Sequence, residues 1–181
     1  MAHTDSTSFR RGAWLVFPAT CLGLMLSLPA GAAPTLGETQ LHDRDGGKVG
    51  EITMAETPNG VLLYAKLDGL PSGVHAFHLH ETGVCEPPFK SAGGHLSSET
   101  LNAHGYLREA GPHLGDMPNI HVPDSGRLNL EVMTRVSDMD TQIFDEDGAA
   151  VVVHQGPDDY QSQPAGAAGP RIACGVIEQL N

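Results

Sequence analysis

Val49-Gly50-Glu51-Ile52-Thr53-Met54-Ala55-Glu56-Thr57-Pro58-Asn59-Gly60-Val61-Leu62-Leu63-Tyr64-Ala65-Lys66-Leu67-Asp68-Gly69-Leu70-Pro71-Ser72-Gly73 is two strand-length runs joined by one turn. Pro58-Asn59-Gly60 is a strong hairpin signal, because Asn and Gly tolerate the backbone angles that a tight reversal needs. After it Val61, Leu63, Ala65 and Leu67 alternate with Leu62, Tyr64 and Lys66, the period of a strand with one face on a core. Leu70-Pro71-Ser72-Gly73 closes the second run. Outward from this hairpin the texture repeats. Period two begins at Glu38, and Leu128 to Met133, Ala149 to His154 and Ile172 to Ile177 are each strand-length and rich in Val, Ile or Leu. No window sustains a 3.6 period long enough for a convincing helix. The periodicity fails from Glu81 to Asn119, where Gly, Pro and His accumulate, and again from Gln155 to Pro170. Irregular loops of that length inside a compact domain are usually functional. The chain therefore reads as all-β, an antiparallel sandwich or barrel with two long loops.

Composition agrees. At 181 residues and 40% hydrophobic, the chain can bury the core of one domain, and 22 Gly with 13 Pro count against a helix bundle. A formal charge of −12 argues against nucleic acid or an anionic membrane surface as partner, since both repel an acidic protein. Residues 1–32 read as a cleaved signal peptide: Arg10 and Arg11 give a positive end, Trp14 to Leu28 an apolar run, and Pro29-Ala30-Gly31-Ala32-Ala33 a small-residue cleavage pattern. The alternative is an N-terminal anchor, for which the run is short and interrupted. The Arg pair leaves Sec and twin-arginine export both open. A cut after Ala32 leaves residues 33–181 as the functional domain, without a membrane span. It removes Cys21, so Cys85 and Cys174 read as one disulfide in an oxidising compartment. It also makes the remainder more acidic by taking away Arg10 and Arg11 against Asp5 alone.

Ten His is an unusual number, and six fall around the two irregular stretches. In Val74-His75-Ala76-Phe77-His78-Leu79-His80, strand geometry puts Val74, Ala76, His78 and His80 on one face and points Phe77 and Leu79 into the core. Two imidazoles at i and i+2 can grip one ion. His95 follows Gly93-Gly94; His104, His113 and Asp116 lie in the same loop; His154 ends the Val151-Val152-Val153 run. Taken singly, any of these is as well explained by a core or surface role. Together they separate by chemistry. Three His and a carboxylate make a closed tetrahedral set suited to structural zinc, and four imidazoles suit a tetragonal copper centre with an open axial position. Six rings for seven nitrogen sites require one ring to serve both ions.

Here the sequence resembles the copper–zinc superoxide dismutase family, in its exported bacterial branch. The resemblance is carried by Gly73-Val74-His75-Ala76-Phe77-His78-Leu79-His80, Gly93-Gly94-His95, His113-Leu114-Gly115-Asp116, Val152-Val153-His154 and Gly169-Pro170-Arg171-Ile172-Ala173-Cys174-Gly175-Val176-Ile177. It implies a Greek-key β-sandwich or flattened eight-stranded barrel, located in the periplasm. It implies one copper on His78, His80, His95 and His154, and one zinc on His95, His104, His113 and Asp116, with His95 as the bridge. Cys85 and Cys174 match the family's disulfide, Arg171 its guanidinium beside the open copper position, and Asp158 its carboxylate linking a copper His to a zinc His. Ala76 stands where the family has Gly, and Leu96-Ser97-Ser98 replaces Phe-Asn-Pro after the bridging ring, which bears on how the zinc loop packs. His75 resembles a structural His of the family, whereas His42 and His121 read as surface residues.

The resemblance implies an enzyme that dismutates superoxide to oxygen and hydrogen peroxide, with His95 and Arg171 as the catalytic side chains. Lys90 would either add to a positive funnel or be an ordinary solvated Lys. Homodimers are known in the family, but nothing in this sequence locates an interface. A non-catalytic metal-buffering module would have no need of Arg171 or a shared ring, and a mononuclear zinc hydrolase would not need more than three His. The acidic group Asp138, Asp140, Asp145, Glu146 and Asp147 lacks the order of a calcium loop and reads as solvated.

Overall fold

A computed structural model describes residue 1 and residues 36–180; the segment read as a signal peptide, with Trp14, Cys21 and the expected cleavage site, lies outside the described residues. The strands are β1 (Gly37–Asp43), β2 (Lys48–Thr57), β3 (Gly60–Asp68), β4 (Gly73–His75), β5 (Phe77–His80), β6 (Ile120–Val122), β7 (Arg127–Met133), β8 (Ala150–His154), β9 (Arg171–Val176) and β10 (Glu178–Gln179). The main sheet runs β5-β8-β9-β1-β2-β3-β7, with β10 paired to β1, and all its pairs are antiparallel. β4 pairs with β6. Since β4 leads into β5 and β6 into β7, that small pair links the two ends of the path and curls the sheet into a flattened barrel.

The hairpin forms as the sequence predicts: Thr57 faces Gly60 across a two-residue loop of Pro58 and Asn59. Its alternation puts Val61, Leu63, Ala65 and Leu67 in the core with Leu41, Ile52, Met54, Phe77, Leu79, Val151 and Val153. β8 is buried along its whole length. Val151 and Val153 face the barrel interior, while Ala150 and Val152 pack outside it against Phe89, Ala92 and the Cys85–Cys174 disulfide. A strand covered on both faces shows no polar alternation, which is why the Val run reads as continuous.

The two irregular stretches fall between β5 and β6 and between β8 and β9, with the limits expected from loss of periodicity. One difference concerns residues 73–80. The strand is interrupted at Ala76, whose amide and carbonyl bond to Gly156 and His154, and Val74 is exposed while His78 and His80 are buried. The acidic group is exposed throughout, as its reading as solvated expects, and two of its members also order the turn. Asp138 caps a four-residue helix, α1 (Met139–Gln142), accepting from the Thr141 amide, and Asp145 accepts from the amides of Asp147 and Gly148. These two carboxylates shape the turn while facing solvent. Among the described residues no helix is long and apolar enough to cross a membrane.

Candidate metal centre

β5 is the end strand of the main sheet path, so one row of its backbone groups needs partners other than β8. The 81–119 loop supplies them: the Leu79 amide donates to the Gly115 carbonyl, the Leu96 amide to the Leu79 carbonyl, and the Gly115 amide to the Leu96 carbonyl, each at 2.9 Å. Leu96, one of the departures from the family pattern, thus takes part in the lacing and is buried in the main core. This docking carries His95, His104, His113 and Asp116 to the outer face of β5, opposite His78 and His80. His154 arrives from the end of β8.

Two groups of ligand atoms result, His78, His80, His95 and His154, and His95, His104, His113 and Asp116; within each, the atoms lie within 4.8 Å of one another. All seven side chains are buried. In the first group each ring has one nitrogen tied down. His78 Nε2 meets Asp158 Oδ2 at 2.9 Å, His80 Nδ1 the Gly93 carbonyl at 3.1 Å, and His154 Nδ1 the Gly169 carbonyl at 3.1 Å. Those acceptors fix the tautomers. The other nitrogens, His78 Nδ1, His80 Nε2, His154 Nε2 and also His95 Nε2, are buried with no protein partner. Four orphaned lone pairs in one place are costly unless a cation takes them, so the donor set fits copper.

In the second group Asp116 Oδ1 is approached by three ring nitrogens, His95 Nδ1 at 2.7 Å, His104 Nδ1 at 3.1 Å and His113 Nδ1 at 3.3 Å. The other oxygen, Oδ2, accepts from the amides of Gly105 at 2.9 Å and His113 at 3.0 Å. Three imidazole nitrogens and one carboxylate oxygen fit tetrahedral zinc. His95 alone belongs to both groups: Nδ1 faces Asp116 and Nε2 is the orphan on the other side.

The electrostatics agree with the geometry. Burial pushes His95 down to about 4 and His154 to about 3, and holds His80 well below the ordinary imidazole value; neutral rings keep their lone pairs free for an ion. For Asp116, burial favours the acid, but hydrogen bonds from His104, His113 and His95 outweigh it and hold the carboxyl well below its usual range. His104 behaves oppositely. Burial alone would lower it, yet Asp116 and Asp158 raise it to about 9. A ring held between two carboxylates marks a place that demands positive charge.

Asp158 joins the groups, accepting from His78 Nε2 on Oδ2 and from His104 Nε2 on Oδ1, both at 2.9 Å. Arg171 is half-buried at the start of β9, its Nη1 donating to the Phe89 carbonyl at 2.5 Å and Nη2 to the Gly93 carbonyl at 2.6 Å. The Gly93 carbonyl therefore holds both Arg171 and His80. The Cys85–Cys174 disulfide anchors that loop to β9. Lys90 is exposed and in no ion pair among the described residues. His75 bonds at 2.9 Å to the carbonyls of His154 and Pro71, as a structural ring would. His121 is exposed, but His42 is half-buried, because its strand β1 pairs there with Cys174 of β9.

The sequence pattern misses three supports. Glu81 accepts from the Gly94 amide at 2.7 Å and adds negative charge near Arg171. Tyr106 donates its hydroxyl to the Asp116 carbonyl at 2.6 Å. Gly166 leaves no room for a Cβ beside Asp158 and His104. None sits in a spacing motif, so only the fold reveals them.

Comparison with known proteins points the same way. The Copper/zinc superoxide dismutase (SODC) family model matches residues 48–177. Superoxide dismutase 1 (Cu-Zn) of Aquifex aeolicus (strain VF5) is 45% identical over 142 residues, spanning 75% of this chain and 83% of its own. Superoxide dismutase 2 (Cu-Zn) of the same organism is 43% identical over 162 residues, spanning 86% and 94%. Among solved structures, a SOD-like protein from Bacillus subtilis superposes with a TM-score of 0.71 at 34% identity, covering 77% of this chain and 96% of that one. The Cu/Zn superoxide dismutase from Brucella abortus superposes with a TM-score of 0.64 at 28% identity, covering 78% and 98%.

Proposed function

This chain belongs to the copper/zinc superoxide dismutase family, and we propose the following division of labour among its residues in turning two superoxide anions and two protons into oxygen and hydrogen peroxide. His78, His80, His95 and His154 would hold copper, and His95, His104, His113 and Asp116 zinc, one of each per chain. Copper would supply a centre that takes an electron from one superoxide and gives it to the next, while redox-inert zinc would supply fixed charge.

The observation that carries this reading is His95, whose two nitrogens serve two different ligand groups. Its Nε2 is the atom we assign to hold one proton and release it to the departing peroxide; the second proton comes from solvent. Its Nδ1 belongs to the zinc group with Asp116, and that side of the ring would keep it oriented while Nε2 exchanges its proton. Arg171 orients the anionic substrate. Two of its five N–H groups are spent on the Phe89 and Gly93 carbonyls, leaving the others for superoxide. Burial lowers its pKa and the nearby Glu81 charge raises it; a guanidinium stays cationic under either influence. In a chain of net charge −12, that local positive charge works against overall repulsion of the substrate.

We further propose that residues 1–32 direct export to the periplasm and are removed. The buried Cys174 paired with Cys85 suits an oxidising compartment.

The test is metal analysis of the purified protein beside a superoxide dismutation assay. One copper and one zinc per chain with turnover is the expected result; full loading without turnover would sink the roles given to His95 and Arg171. For export, Trp14 is the chain's only Trp, so tryptophan emission from periplasmic material would contradict the cleavage.

A further inference from the structure

Asn119, the last residue of the 81–119 loop before β6, has no part in the reading above. Its side-chain amide meets the backbone of Asp158 at both ends: Nδ2 donates to the Asp158 carbonyl at 2.9 Å, and Oδ1 accepts from the Asp158 amide at 2.8 Å. A neighbouring strand would offer the same pair of bonds. Here one side chain offers them across 39 residues of sequence. The Asn119 backbone amide donates to Tyr160 Oη at 2.8 Å, and the Tyr160 amide donates to Asp158 Oδ1 at 2.6 Å. Asp158 lies in a loop, 155–170, without a strand or helix of its own. Its position therefore depends on what grips it.

We propose that Asn119 is a positioning residue that sets the Asp158 carboxylate and, through it, the tautomers and ring planes of His78 and His104. Only a group that donates and accepts side by side can do this. An aspartate would set a second acceptor oxygen against the Asp158 carbonyl, and an alanine would leave the Asp158 amide and carbonyl to find water. The expected consequence is local. His78 and His104 donate to Asp158, whereas His80 and His154 donate to the Gly93 and Gly169 carbonyls, which Asn119 does not touch. The inference rests on reading these rings as ligands, and its test separates the two claims.

The variants are Asn119→Ala and, nearly isosteric should the first fail to fold, Asn119→Asp, each compared with Asp158→Ala. Zinc affinity is measured by competition with a chromophoric chelator. Imidazole N–H resonances are followed by nitrogen-15 NMR in the zinc-loaded, diamagnetic copper(I) form. We expect zinc to bind about 10- to 100-fold more weakly, the usual cost of losing a group that orients a ligand. The His78 and His104 Nε2–H signals should broaden by exchange with water while those of His80 and His154 stay sharp. Adding Asn119→Ala to Asp158→Ala should weaken zinc little further, because both act through one carboxylate. Unchanged affinity with unchanged resonances overturns the proposal, as does a fully additive double variant or equal broadening of all four signals. Failure of the parent itself to take up zinc at these residues overturns the ligand reading, and this inference with it.

Discussion

Replacing Gly166 with alanine adds one methyl group at the point where the two loops meet, and its effect follows from the coordinates. Gly166 has φ +64°, and a Cβ there would lie 1.8 Å from Asp158 Oδ1 and 2.8 Å from His104 Nε2. Ordinary contact requires the carboxylate to retreat by roughly 1.5 Å or more. That carboxylate accepts from His78, His104 and the Tyr160 amide, and such a movement breaks at least one of the three. The left-handed backbone costs an alanine about 1–2 kcal/mol, and a hydrogen bond to a charged acceptor contributes about 1.5–3 kcal/mol. A loss of about 2.5–5 kcal/mol is therefore expected, with zinc bound about 10- to 100-fold more weakly. Gly169 is the control. Its φ is +76°, but nothing lies within 4 Å of a Cβ built there, so Gly169→Ala should cost only the backbone term and leave zinc affinity alone. Urea denaturation of the metal-loaded, disulfide-intact proteins measures the first effect, and chelator competition the second. Equal destabilisation of the two variants with unaltered zinc binding would show that Asp158 is not held where a methyl group excludes it.

Arg171→Ala should keep both metals, because the guanidinium is no ligand, yet lose roughly 10- to 100-fold in superoxide-dependent rate if one charge-assisted contact to the anion goes. The remaining rate should respond less to added salt; full activity in a stopped-flow assay would remove Arg171 from the mechanism. His95→Ala leaves three protein ligands on each side, so both ions should still load. With cobalt(II) replacing zinc, however, the magnetic coupling to copper(II) seen in the parent should vanish from the electron paramagnetic resonance spectrum, and its survival would refute the shared ring. Replacing Cys85 and Cys174 together by serine opens a loop of 89 residues' separation, worth about 4–5 kcal/mol in the chain-entropy model. A drop in the urea midpoint accompanied by lower activity is expected, since the same loop carries the Phe89 and Gly93 carbonyls that hold Arg171.

The barrel and the gathering of the histidines were legible in the sequence for different reasons. Strands announce themselves locally: Val61 to Leu67 alternates because one face is wet and one is dry, and no distant residue is needed to see it. The histidines were legible because metal chemistry demands residue types that are rare at such density. What could not be read is whatever depends on contacts across loops. The break at Ala76 exists because Gly156 and His154 claim its backbone. Asp138 becomes a helix cap only because residues 139–142 turn. Gly166 and Asn119 look like any loop glycine and asparagine until the fold brings Asp158 against them. His42 is drawn partly inward by its pairing with Cys174, which no local pattern encodes.

The loops and the barrel also differ in what holds them. Val61, Leu63, Phe77, Val151 and their neighbours bury apolar surface that needs nothing further. The 81–119 loop has one three-residue turn of 3-10 helix and gathers instead around polar groups that are individually costly to bury. Four imidazole nitrogens lack partners, and three others converge on a single carboxylate oxygen. Such an arrangement persists in a low-dielectric interior only if positive charge satisfies it. Metal binding and loop order are therefore one equilibrium in this protein, since an ion that binds the assembled groups stabilises whatever conformation assembles them. Asp158 makes the equilibrium common to both loops. It draws its backbone support from Asn119 in the first and its carboxylate alignment from Tyr160 in the second. Each metal group thus depends on a segment that the other helps to order.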